Sequence, residues 1–526
     1  MGTTKLTAQN FLNQIITHGF FAEQIPACFS SARLAACIST ILPSINCAYS
    51  QIKKSNKHTT IPVEISTFKN GISRRILSVP NPEAFLRFVK LVSIHWPEIL
   101  GYASSENSLS QITYLRSYIS DNMIQEINSE NIREAHRAKS DFAEGIKDCI
   151  RVSLGYQYRL QVDIANCYNS IYTHSIAWAI CGKEQAKTYL RTKTPAVLKQ
   201  VYELADSLDA FMRFQKNNET NGIVVGPFSS RIFSEIILAA IDEKLRKKGF
   251  IFRRYVDDYK FYFRTETQAE DGIQQIEKIL NEYNLNLNLS KTTIQRFPYE
   301  ILSNMQEAYA VALKKEGIFG VLNAAAAFHI SGEKGAYKYA LKYIKKTKLD
   351  TKTFDVVFPL LVNVMLLDPK YGKHVITFMK KNRTNINLDK LAIIANNELM
   401  QSLSQGLQQE SLLFLYLIHD IRLVISAQNI ISVLQSHDDF SIIIALDIWK
   451  HHKTLVSRTQ TEARLINKAI KELITELAGE TYFGARWLLL YEIQQHNLLP
   501  ADKYTPVPLT PFFQALSQNS VSFYES

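Results

Sequence analysis

The sequence predicts an α+β half over residues 1–300 followed by an all-α helical array over residues 301–526. Up to about residue 300, helical stretches alternate with short aromatic and β-branched runs, Tyr158–Ile164, Ile251–Val256 and Tyr259–Phe263, which have the composition of strands. After Phe297-Pro298 the texture changes to apolar-periodic segments of helical length: Phe354–Leu367, Leu388–Leu403, Ser411–Val424, Phe440–His451, Arg464–Leu477 and Ala485–Gln494. No low-complexity linker separates the two textures, so the halves are expected to pack against each other.

A chain of 526 residues exceeds what one hydrophobic core serves, which makes two or more domains the expectation. A hydrophobic fraction of 46% with 21% charged residues describes a folded chain, not a disordered one. The formal net charge of +11 suits a phosphate-rich partner and, on charge alone, a membrane surface equally. No run reaches the ~18 apolar residues that span a bilayer, and Met1–Lys5 lacks the core of a signal peptide. All six cysteines precede residue 182, form no Cys-x-x-Cys, and stand at no zinc-finger spacing to histidine. A reduced cytoplasmic protein with no membrane partner and no structural zinc is the expectation.

Taken in chain order, the first chemical feature is Lys69-Asn70-Gly71-Ile72-Ser73-Arg74-Arg75. Guanidinium forks suit phosphate oxygens, although a charge run is commonly a solvated face. Next, Tyr158–Ile164 reads as a strand that carries Asp163 at its end. The stretch Thr220–Ser230 follows, with Gly222 and Gly226 allowing close backbone approach and a helix start offering free N–H groups, before an apolar helix through Leu238. Phe252–Phe263 reads as a hairpin of two aromatic strands with Asp257-Asp258 at its tip. Leu285–Thr292 alternates and ends on Lys291-Thr292.

An isolated Asp-Asp is ordinarily a solvated turn. Joined by a strand-end Asp163, the pair supplies three carboxylates, the donor set for two divalent ions roughly 3.5–4 Å apart that nucleotidyl transfer employs. Oxygen donors suit the hard cations Mg2+ and Mn2+.

Tyr255-Val256-Asp257-Asp258 matches the Tyr-x-Asp-Asp signature of reverse transcriptases, and Gln161–Tyr168 resembles their first palm motif. Thr220–Ser230 resembles their template- and nucleotide-contacting loop, Leu285–Thr292 their fourth palm motif, and Lys69–Pro80 the basic motif of their fingers. The resemblance covers residues 60–300 and implies a palm and fingers in which Asp163, Asp257 and Asp258 hold two ions. It further implies that Lys291 protonates or neutralises the leaving pyrophosphate, that Lys69, Arg74 and Arg75 clamp an incoming dNTP, and that Gly226 belongs to the substrate contacts. Tyr168, five residues after Asp163, takes the place of the family's steric gate against the ribose 2′-hydroxyl. Val224-Val225 stands where relatives commonly have Pro-Gln, a departure that bears on template handling.

Asn169–Lys183, with its Tyr172-Thr173-His174-Ser175-Ile176 segment, is similar to the abortive-infection branch of these enzymes, which act in phage defence. That resemblance implies a HEAT-like helical domain in place of a usual thumb and a homo-oligomer. It also implies template-independent synthesis of single-stranded DNA primed on a tyrosine of the protein and left covalently attached. Tyr49 is the priming candidate, and His174 is assigned a structural or nucleic-acid-contacting role. No Cys/His cluster suggests a zinc endonuclease, and no acidic quartet after residue 300 suggests a ribonuclease H. Two alternatives stay open: conventional copying of a bound RNA, and an idle nucleic-acid-binding scaffold.

Overall fold

The computed structural model describes residues 2–48, 59–70, 73–117, 145–189, 196–299, 305–333, 335–344 and 349–525. Its centre is a four-stranded antiparallel sheet in the order β6-β7-β5-β8, formed by β5 (Tyr158–Asp163), β6 (Phe252–Tyr255), β7 (Asp258–Phe263) and β8 (Thr293–Arg296). The expected aromatic runs build it: Phe252 packs on Phe261 with ring centroids 5.2 Å apart, and Tyr259 stacks on Phe261 at 5.6 Å. Leu285–Thr292 does not pair as a strand. Leu287 alone bridges to Ile164, a 3-10 turn spans Leu289–Lys291, and the ladder begins only at Thr293.

Four long helices flank this sheet and its neighbours: α1 (Phe11–Gly19), α2 (Pro82–Ile94), α3 (Ala196–Phe214) and α4 (Phe228–Lys247). A fifth, α5 (Glu266–Asn281), packs on β5 and β7. Asn81 caps α2 through its side chain and Pro82 opens it, and Thr265 caps α5. A separate two-stranded hairpin, β2 (Val63–Asn70) and β3 (Ser73–Val79), carries the basic motif. A further pair, β1 (Gly2–Lys5) and β4 (Tyr114–Ser117), closes the N-terminal edge.

The second half is helical, as its periodicity predicts. It contains α6 (Met305–Ile330, broken at Gly317 with φ 63°), α7 (Ala336–Ile344), α8 (Thr351–Leu367), α9 (Gly372–Lys381), α10 (Leu388–Ser404) and α11 (Gln408–Ile421). There follow α12 (Ala427–Leu434), α13 (Asp439–His451), α14 (Gln460–Glu476), α15 (Trp487–Gln495) and α16 (Pro511–Gln518). Side-chain N-caps begin many of them: Asp350, Asn387, Ser426, Thr510, and Thr459 in a full capping box with Glu462. Helix α11 stops three residues earlier than its apolar pattern suggests, because Arg422 turns into the left-handed region at φ 60°. A two-residue parallel pairing joins Ile425-Ser426 to Val456-Ser457, and Tyr524 makes a single bridge to Phe29.

One continuous apolar core runs through both halves. Phe20 stacks on Phe523 at 5.6 Å and meets Trp487 edge-on at 6.5 Å, while Ser30 donates to the Phe523 carbonyl and Glu525 to that of Cys28. The two ends of the chain are thereby sewn to the same seam. All six cysteines are free thiols, and no described helix is long and apolar enough to cross a membrane.

Candidate active site

Strand β5 ends at Asp163, whose cross-strand partner is Asp258 at the start of β7. Opposed residues of an antiparallel pair point to one face with Cα atoms about 4.5–5.5 Å apart, so the two carboxylates share a surface. Asp257 is brought alongside by the turn, where its carbonyl accepts from the Ile164 N–H at 3.2 Å. Asp163 is 9% exposed, Asp257 half-buried and Asp258 exposed, which grades the site from core to solvent. Lys291 joins from the turn before β8, donating to Asp163 Oδ2 at 2.7 Å, and Asn288 donates to Oδ1 at 3.3 Å.

Like charges directly opposite destabilise a strand pair, and here three carboxylates are gathered, with the Lys291 ammonium bonded to Asp163. The Asp257 carboxyl is pushed above the ordinary carboxylate range, first by burial and then by the neighbouring Asp258 and Asp163. Lys291 is likewise pushed above its ordinary value: the hydrogen bond to Asp163, then the charges of Asp163, Asp258 and Asp257, hold its proton more firmly. That favours a fixed positive charge over a proton donor. An all-oxygen donor set with unneutralised charge fits hard divalent ions.

The tip of the hairpin is strained. Val256, a β-branched residue, sits at φ 58° where a two-residue loop ordinarily places glycine or asparagine, a conformation that costs on the order of 1–3 kcal/mol. Arg254 holds it there. Its Nη1 donates to the Val256 carbonyl at 3.0 Å, and the fully buried guanidinium is gripped by two acids of α4. Glu235 Oε1 lies 2.7 Å from Nη2, and Asp242 Oδ2 lies 2.8 Å from Nη2 and 2.9 Å from Nε. Ser108 donates to Glu235 at 2.8 Å and completes the group. Sequence reasoning missed this buttress. Its signal was present: Glu235 and Asp242 stand two turns apart on the apolar face of an otherwise greasy helix, next to an arginine that adjoins the acidic pair.

Tyr168 lies in a short helix, Cys167–Ser170, entered through Asn166 at φ 48°. Its ring is partly exposed, while its hydroxyl is enclosed beside Ser234 and its pKa is pushed up to about 12 by burial. The Ile223 N–H donates to the Tyr168 carbonyl and the Gly222 N–H to that of Ile171, so the Thr220–Ser230 loop is laced to the first motif. Gly222 has φ 76°, and a Cβ there would come within 2.9 Å of the Asn169 carbonyl, which is why only glycine fits. Gly226, at φ 131°, lies against Ala22 and Ser78. The Val225 carbonyl accepts from Ser78 at 2.7 Å, tying this loop to β3, and Val224 is wholly buried.

The basic motif is placed differently. Arg74 and Arg75 are neighbours on β3 and therefore point to opposite faces. Arg74 is not open: its fork closes on Glu410 of α11 at 2.5 and 2.8 Å and also reaches Ser66. Lys69 and Arg75 are exposed. Tyr49 lies outside the described residues. The fold thus brings Asp163, Asp257, Asp258 and Lys291 together, sets Tyr168 in the helix that follows β5, and turns Arg74 toward the helical half.

Residues 109–319 match the family described as reverse transcriptase (RNA-dependent DNA polymerase). Those residues therefore form a domain of the reverse transcriptase type. No curated protein matches the chain. Similar solved structures include telomerase from Candida albicans in complex with a fragment of telomeric RNA, at 13% identity and TM-score 0.25, covering 64% of each chain. Apo telomerase from Candida tropicalis truncated from its C-terminal domain matches at 16% identity and TM-score 0.29, over 51% of this chain and 57% of that one. Apo telomerase from Candida tropicalis matches at 13% identity and TM-score 0.31, over 85% and 71%. The match spans less than two thirds of the length of the first two telomerase chains.

Proposed function

We propose that this protein polymerises deoxynucleotides at Asp163, Asp257 and Asp258. The observation that carries the reading is the meeting of these three carboxylates, from a strand end and an adjacent hairpin tip, with Lys291 bonded to Asp163. The carboxylates would hold two divalent ions, Mg2+ or Mn2+, which when bound lower the pKa of the attacking hydroxyl and stabilise the departing oxygen. The hydroxyl oxygen attacks the α-phosphorus of a dNTP, a new P–O bond forms, and the bond to pyrophosphate breaks with its electron pair leaving on oxygen. Lys291 supplies fixed positive charge beside that site, and Tyr168 screens the sugar 2′ position. Lys69, Arg74 and Arg75 bind the triphosphate, Arg74 from the face of β3 opposite Arg75 and after exchanging Glu410 for phosphate oxygens.

The finer reading is that synthesis is template-independent, begins on a tyrosine hydroxyl of the protein itself, and leaves single-stranded DNA covalently attached, in the service of phage defence in the cytoplasm. The packing of Val224 into the core and of Val225 against β3 supports it, since that pair is committed to holding the fingers. Tyr49 is the priming candidate. We assign residues 1–300 to the polymerase and residues 301–526 to a HEAT-like array that replaces a thumb. A homo-oligomer is supported by exposed apolar residues on α8, Val356, Leu360 and Leu367.

The deciding experiment is dNTP incorporation with and without added RNA, followed by denaturing separation and mass spectrometry of nuclease-treated protein. A nucleotide adduct on a tyrosine peptide without added template is the expected result. Product that separates freely and requires RNA would establish conventional copying instead. No incorporation under any condition would leave the scaffold reading. Tyr168→Ala should relax deoxyribose selection by roughly tenfold, the scale on which a pocket contact discriminates.

A further inference from the structure

Outside the polymerase site, the described residues hold one cluster of metal-ligating side chains, and it lies in the helical half. His419, in the last turn of α11, sets its Nε2 3.0 Å from Asp447 Oδ2 on α13. His452, one residue past the end of α13, sets its Nε2 3.9 Å from the same oxygen. The C-terminal segment adds the Tyr524 hydroxyl, 3.1 Å from Asp447 Oδ2 and 3.4 Å from His419 Nε2. One ligand atom from each of His419, Asp447 and His452 lies within 4.8 Å of the other two.

These separations have the size of a coordination shell. Four donors at roughly 2.0–2.1 Å from a tetrahedral centre stand about 3.3 Å from one another. Four of the six edges, at 3.0, 3.1, 3.4 and 3.9 Å, bracket that value.

Charge points the same way. Asp447 is 0% exposed, and its Oδ1 has no hydrogen-bond partner among the described residues. Among those residues its ion-pair partners are two imidazoles, not a lysine or arginine. The buried carboxylate accepts from the Tyr524 hydroxyl and lies against both imidazoles. A buried anion requires a compensating cation or a full set of donors.

We propose that His419, Asp447 and His452, with the Tyr524 hydroxyl as fourth donor, bind one transition-metal dication of the zinc class. Two imidazole nitrogens beside one carboxylate suit Zn2+ or Co2+ better than Mg2+, which favours six oxygens. The ion would clip α11 and α13 to the C-terminal segment, whose Tyr524 also pairs with Phe29 near the other end of the chain. It is separate in chemistry from the all-oxygen site on the palm.

The test uses the full chain, stripped with chelator and titrated with Co2+ in excess Mg2+, so that the palm carboxylates are filled with the harder ion. One equivalent of Co2+ with the intense visible bands of a tetrahedral ion, bleached by Zn2+, is expected. His452→Ala, at a half-exposed position outside the core, should weaken Co2+ binding by at least about tenfold, the scale of disturbing a metal's surroundings. Asp257→Asn should leave the bands unchanged. Absence of tetrahedral bands in the wild type would overturn the proposal, as would bands of equal intensity and affinity in His452→Ala. Neither readout depends on polymerase activity.

Discussion

Two β-hairpins of the first half carry the acidic and the basic motifs, and they are anchored in different ways. The palm hairpin, β6–β7, is held from within: Arg254 locks its strained tip to Glu235 and Asp242 of α4, which lie within the same half of the chain. The β2–β3 hairpin is tied to its own half through Ser78 and Val225, but most of its side-chain anchors come from outside. Its edge-strand N–H groups at Ser66 and Phe68 are capped by the side chains of Gln408 and Gln409, at 2.6 and 2.7 Å. Arg74 closes on Glu410, and Lys370 donates to the Lys69 carbonyl at 3.2 Å. An uncovered edge strand invites foreign pairing, so some cover is needed, and here the helical half supplies it. The difference teaches that the three carboxylates are positioned by contacts inside their own half, whereas the basic motif is also gripped by the helical half.

The sharpest attempt to break this comparison is chemical. Asp257→Asn or Asp163→Asn should reduce incorporation by at least about 10²–10³-fold, the scale of losing one preorganised electrostatic partner, with nucleic-acid affinity retained. Filter binding alongside single-turnover incorporation measures both, and substantial residual synthesis would remove these carboxylates from the chemistry.

Arg254→Met probes the internal anchor. It leaves two buried carboxylates without their cation, and a loss of about 3–5 kcal/mol in chemical denaturation is expected. A change under about 1 kcal/mol would show that the hairpin tip does not need this buttress.

Glu410→Gln probes the external anchor. Removing one partner of a half-buried ion pair should cost about 1–2 kcal/mol at most and should shift the nucleotide concentration dependence several-fold while the maximal rate holds. If the rate falls and the concentration dependence stays, the fingers are not what the helical half positions.

The smallest effect concerns His174, whose Nδ1 lies 2.8 Å from the buried Asp209, itself bonded to Arg213. The hydrogen bond to Asp209, against opposing burial, raises the imidazole pKa above its ordinary value. A raised folded-state value means stabilisation that is fully present below the unfolded pKa near 6.5 and is lost as pH rises through the folded one. His174 is 41% exposed, so solvent screening limits the contribution to a few tenths of a kcal/mol or so. Asp209→Asn should flatten that part of the stability–pH curve, and an unchanged NMR titration of His174 would disprove the coupling.

The sequence by itself determined the chemistry that depends on local order. Alternating aromatics mark β6 and β7, a two-residue gap between them forces Asp257 and the start of β7 to the tip, and helical periodicity marks the second half within a few residues at each end. Those features follow from side-chain period and turn length, which are written along the chain. Tertiary structure alone decided which distant charges meet. Arg74 and Glu410 are 336 positions apart, Lys291 and Asp163 are 128 apart, and His419, Asp447, His452 and Tyr524 share no motif spacing. The expectation of a chain without structural zinc rested on local cysteine and histidine spacing, and a cluster assembled from three segments has no such spacing. A contact between remote residues is selected by the packing of the whole core, where burial energy outweighs any local preference, and no short window of sequence contains that sum.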